Sequence, residues 1–99
     1  MSYDVSVSGE DHFNITSNMA AFFREFKCYP PDWDGKLAVP WGQFLDDSIH
    51  NIVATSVREL QEFDAPNGWG DWHTTLQWLM QVRDACFRAP RDARIEVSH

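Results

Sequence analysis

Between Trp41 and Phe63 the chain repeats apolar residues at three- and four-residue steps: Trp41, Phe44, Leu45, Ile49, Ile52, Val53, Val57, Leu60 and Phe63, with Ser48 and Ser56 filling the remaining steps. A helix collects residues with this spacing on one side, and a strand does not. The repeat lasts about six turns, and no strand or loop accounts for that length. It predicts one long helix that begins around Pro40, a residue suited to a first helical turn, and closes by Asp64-Ala65-Pro66. The opposite side carries Asp46, Asp47, Asn51, Arg58 and Glu62. Such a helix is amphipathic and needs a second layer against which to bury its stripe.

The flanks supply that layer. Tyr3-Asp-Val-Ser-Val7 alternates with a period of two and reads as a strand. Ser8-Gly9-Glu10-Asp11 is a turn signal, and His12 to Thr16 alternates again with Phe13 and Ile15 on one face, so a β-hairpin is expected. Thr16-Ser17-Asn18 offers caps for a helix from Met19 to Lys27, which Tyr29-Pro30-Pro31 stops. Cys28 to Lys36 reads as a loop, with Asp34-Gly35 as its turn pair. Asp71 can cap a third helix from Trp72 to about Arg88, which Pro90 follows. Arg94 to Val97 alternates as a last strand. The order β-β-α-α-α-β predicts an α+β fold: a two-layer sandwich, with a small, mostly antiparallel sheet of about three strands and helices on one face.

Ninety-nine residues, 43% of them hydrophobic, suffice for one domain with a core of its own. There is no apolar run near the ~18 residues of a membrane span. The N-terminus lacks a basic and an apolar segment of the secretory kind, so the expected location is the cytoplasm. In that compartment Asn14-Ile15-Thr16 is not a glycosylation site, and Cys28 and Cys86 are expected to be buried free thiols. A net charge of −7 argues against nucleic-acid binding, which requires basic surface. Arg83, Arg88, Arg91 and Arg94 read as a solvated helix end. The acidic residues are too scattered for a mimic of DNA.

Two short segments stand out as candidate binding residues. Asn14 and Thr16 share the strand face opposite Phe13 and Ile15, and Asn18 follows at the strand-to-helix junction. These side chains either cap the helix or meet a ligand helped by free helix N–H groups. Asn67-Gly68-Trp69-Gly70-Asp71-Trp72-His73 packs two glycines, two tryptophans and three polar side chains into seven positions. It serves either as a tight inter-helix turn or as a ligand loop in which Trp69 stacks a planar ring. Asp71 and His73, two apart, do not share a helix face. No histidine has metal-ligand spacing, and no motif of nucleophilic or phosphate-transfer chemistry is present, so neither a metal nor a cofactor is expected and an enzyme is the less favoured reading.

Taken together, the strand with Asn14-Ile15-Thr16-Ser17-Asn18-Met19, the loop with Asp34-Gly35-Lys36, the Asn67-Gly68-Trp69-Gly70-Asp71 segment and the closing Ile95-Glu96-Val97-Ser98 resemble a family of small phage and prophage proteins. These share Asn-x-Thr-x-Asn and Asn-Gly-Trp-Gly motifs. The chain departs from the pattern at Trp41-Gly42-Gln43-Phe44 and in its short approach to Pro66. The resemblance implies an accessory protein acting on host physiology or defence, and implies no particular activity.

The expectation is therefore a non-catalytic binding protein. In its sharpest form, Asn14, Thr16 and Asn18 face Asn67, Trp69, Asp71 and His73 across a pocket for a small, polar, planar, nucleotide-like ligand, with a helix N-terminus receiving any phosphate. The rival is a protein–protein inhibitor of a host protein that uses Trp33, Trp41 and the acidic helix face. Exposed aromatics also leave room for a homo-oligomer.

Overall fold

In the computed structural model, which describes residues 2–9 and 11–99, the chain forms an α+β fold around a three-stranded antiparallel sheet of order β2-β1-β3. Strand β1 is Ser2–Val7, β2 is Asp11–Thr16 and β3 is Ile95–Ser98; Val5 pairs with Phe13 on one side and Val97 on the other. Glu10, part of the expected turn, lies outside the described residues. Alternation does what the period predicts. Tyr3, Val5, Val7, Ile15 and Ile95 are buried, while Asp4, His12, Asn14, Glu96 and Ser98 are exposed on the open face.

The helices are α1 (Ala20–Glu25), α2 (Ala38–Val53), α3 (Val57–Gln61) and α4 (Trp72–Arg88). A 3₁₀ turn, Ser17–Met19, leads into α1, with Thr16 as its extended N-cap. A second 3₁₀ turn, Pro30–Trp33, interrupts the loop before α2. Helices α2 and α4 pack antiparallel and very close. Gly42 faces Cys86 and Phe87, and Arg83 reaches back to Asp46 at 2.9 Å.

The expected single helix from Pro40 to Phe63 is two helices. Thr55 Oγ1 donates to Asn51 O at 2.8 Å and Thr55 N donates to Ile52 O at 3.0 Å, which tightens the end of α2. Ser56 then turns extended and its hydroxyl accepts from Glu59 N at 3.3 Å, capping α3. Ser-x-x-Glu is the signature of a helix start, and the apolar repeat running through it hid the break. The stripe survives the corner on the core side, since Ile52 and Leu60 are both buried, but Val53 and Val57 are left 65% and 53% exposed.

The core is one contiguous cluster between the sheet's buried face and the helices. Its largest members are aromatic. Phe22 and Phe23 are fully buried, and Phe22 meets Phe63 edge-on at 5.8 Å. Trp33 lies stacked on Trp78 with ring centroids 5.8 Å apart. Trp33 has no exposed surface, so it is a core residue and does not serve as an interface anchor. Its expected exposure fails because the Pro30–Trp33 turn folds the indole inward over α4. Trp41 is half-buried, stacked on Phe44 at 4.4 Å with the Lys36 ammonium 5.5 Å over its ring. Among the described residues no helix is long and apolar enough to cross a membrane.

Candidate functional site

The two polar segments, 53 positions apart from Asn14 to Asn67 in sequence numbering, meet where β2 ends and α4 begins. Thr16 Oγ1 accepts from Asn18 N at 3.2 Å, which turns the chain out of the sheet. Asn18 Nδ2 then donates to Trp69 O at 3.2 Å. On the other side Asn67 Oδ1 accepts from Trp69 N at 3.0 Å, and Ala65 N donates to Gly70 O at 2.9 Å. Gly68, with φ +76°, takes the left-handed position that this turn needs. Gly70 lies so close to the junction that a Cβ there would sit 3.1 Å from Met19 Cγ and 3.2 Å from Thr16 Cγ2. The loop is thus braced from both ends, and it holds the Trp69 indole outward at 72% exposure.

A groove of about 320 Å³ runs beside this loop, lined by Asn14, Ile15 and Thr16 of β2 and by Trp69, Asp71 and Thr74. Asn18 and Asn67 line a neighbouring depression with Phe63 and Pro66. His73 does not join either. It faces a small apolar hollow with Val53, Val57 and Leu76, on another side of α4. Two residues along a helix turn about 200°, so the side chain that follows Asp71 by two points away from the groove. Asn14 turns its amide toward Asp4 Oδ1 and, at 3.0 Å, Ser2 Oγ on the open sheet face.

The electrostatics exclude an anion. Asp71 caps α4: Oδ1 accepts from Thr74 N at 2.7 Å and Oδ2 from Thr74 Oγ1 at 3.1 Å. Asp64 Oδ1 accepts from Trp72 N at 2.8 Å. Two carboxylates therefore occupy the first turn, where a phosphate had been expected. The Thr74 N–H is the main reason that the Asp71 carboxyl titrates below its ordinary value, with the neighbouring Thr74 hydroxyl and His73 helping. Asp71→Ala is expected to cost about 1 kcal/mol at neutral pH, the usual worth of an N-cap. Because the folded carboxyl has the lower pKa, this contribution is complete above the unfolded value near ~3.9 and fades as pH falls through the folded one. Thermal melts of both proteins at neutral and strongly acidic pH should show the gap in Tm closing with acid.

Neither thiol is equipped as a nucleophile. Burial pushes Cys28 up to about 12, against a smaller opposing effect of the Ser48 hydrogen bond, and pushes Cys86 to about 11. Asp46, Asp47 and His50 bring ligand atoms within 4.8 Å of one another, the one such grouping among the described residues. Asp46 is already paired with the Arg83 guanidinium, whose positive charge opposes a cation there. Sequence reasoning missed the part of Asp64, whose only signal was its place just before Pro66.

Comparison with known proteins adds no relative: no family model, no curated protein and no solved structure matches the chain. The fold and the junction together define a small α+β protein with a braced, outward-facing tryptophan beside a sheet edge.

Proposed function

We propose that the chain is a non-catalytic accessory protein, of the phage or prophage type that its motifs resemble, which works by binding another protein through the surface around Trp69. The observation that carries this reading is the combination of 72% exposure with a fixed backbone. A tryptophan in water exposes a large apolar plate, and one whose loop is already ordered loses little entropy when a partner covers it. Tryptophan is among the residues most enriched at binding hot spots. The polar side chains around it support a bracing role: Asn18, Asn67, Asp64 and Asp71 are all engaged in holding the loop and the α4 start. A small planar ligand stacked on Trp69 is the competing reading, restricted by the two carboxylates to neutral or cationic molecules.

The test compares the wild-type chain with Trp69→Ala by affinity capture and native mass spectrometry from the cells in which the gene resides. Because Trp69 is mostly exposed, the variant should keep its Tm to within the effect of about 0.5 kcal/mol typical of surface changes. A stoichiometric protein that is retained by wild type and lost by Trp69→Ala is the expected result. Equal retention by both chains overturns the reading, and a bound mass of only a few hundred daltons transfers the site to a small molecule.

A further inference from the structure

The two edges of the sheet are treated differently. The outer edge of β3 is sealed by the loop before α2: Gly35 N donates to Ile95 O at 2.8 Å, Ile95 N to Lys36 O at 2.9 Å, and Val97 N to Asp34 Oδ1 at 2.9 Å. Leu37 and Arg94 complete the closure as an isolated bridge. Strand β2 has β1 on one side only, and among the described residues no other backbone group bonds to its backbone. In an antiparallel edge strand every second residue directs its N–H and C=O outward. Proteins usually guard such rows with charge, bulges or cover. Here Asp11 and His12 stand at one end, but at the Ile15–Thr16 end the row opens into the groove walled by Trp69 and the start of α4.

From this we infer that the partner of the Trp69 surface is an extended segment of another protein, which adds to β2 as a fourth strand and lies in the groove between β2 and α4. This inference rests on the reading of Trp69 given above and names the chemistry of what it binds. Main-chain pairing with an exposed edge is a general route to peptide binding, with alternate side chains supplying specificity. Residues of the segment on the buried-face side meet Trp69, Thr74 and Thr75 and are apolar. Those on the open-face side extend the row formed by Asp4 and Asn14. That face also bears Glu96 and Asp34 and no lysine or arginine lines it, so opposite charge selects Lys or Arg there. The segment is therefore alternately apolar and basic. A second copy is a poor occupant, because a net charge of −7 and the Asp4 and Asp71 carboxylates repel their own kind.

The probe is a library of random linear dodecapeptides displayed against the full chain, followed by amide hydrogen exchange and backbone N-methylation of an enriched peptide. Enriched sequences should alternate apolar with Lys or Arg, slow exchange at alternate amides of β2, and bind about tenfold more weakly for each methylated amide that faces β2. Methylation of the opposite parity should leave binding unchanged. Peptides that need Trp69 but leave β2 exchange untouched overturn strand addition while the Trp69 surface stands. Peptides that protect β2 and bind Trp69→Ala as well as wild type do the reverse. Enrichment of acidic sequences, failure to enrich any, or β2 protection that grows with chain concentration alone each overturn the inference.

Discussion

Trp33→Ala is expected to be the most damaging single substitution in this protein, with a loss of about 4 kcal/mol. The indole has no exposed surface and stacks on Trp78 at 5.8 Å and 28°. Trp78 in turn meets Phe23 at 5.9 Å, so the pair joins the turn before α2 to α4 and α1. Alanine leaves a cavity at the centre of this contact, and the rigid neighbours cannot collapse into it. For a domain of this size each kcal/mol moves Tm by roughly 4–8 °C. A fall of about 20 °C, read by thermal or urea melts, follows from these magnitudes. Since small domains hold only about 5–15 kcal/mol in total, the variant stands near the limit of folding. Trp33→Phe supplies the control. It keeps an aromatic plate and removes an indole N–H that has no protein acceptor, so its cost is about 1 kcal/mol. Equal losses for the two variants would show that the site is not packed as described.

Gly42 carries the second large effect. Added at this position, a Cβ would lie 3.0 Å from Cys86 Cβ and 3.0 Å from the Phe87 ring. The Phe87 ring is 45% exposed and can move aside, whereas Cys86 is fully buried on α4 and cannot. Gly42→Ala gains about 1 kcal/mol of helix propensity and loses about 2 by overpacking, a net cost of about 1 kcal/mol. Gly42→Val forgoes most of the propensity gain and drives two further methyls into the α2–α4 contact, for about 3 kcal/mol. Urea melts of the two variants should therefore rank valine well below alanine. The reverse order would mean that helix propensity governs this position and the contact does not.

Much of the fold was legible in the chain because its signals are local. The period of two in Tyr3–Val7 and the spacing from Trp72 to Cys86 depend only on which side of an element a residue occupies, and both elements form as expected. The corner at Ala54–Ser56 was present as Ser56-x-x-Glu59 but was outweighed by the longer apolar repeat, since a stripe of Ile52, Leu60 and Phe63 can cross a bend and still reach one core. The candidate site divides in the same way. Asp71 as the cap of α4 is a local matter of one side chain and the N–H three residues on, and it was read correctly from the sequence.

By itself, then, the sequence determined the α+β class, the order of the elements, the faces of the strands and the caps of two helices. Each of these is decided by residues within a few positions of one another. Tertiary structure alone decided that Asn18 reaches Trp69, that Trp33 turns inward while Trp69 turns out, that two carboxylates occupy the α4 N-terminus, and that β3 is sealed while β2 is open. Those outcomes depend on contacts between segments tens of residues apart, where exposure is set by whatever the rest of the chain brings alongside. A tryptophan on a loop reads the same whether the fold buries it or leaves it in water.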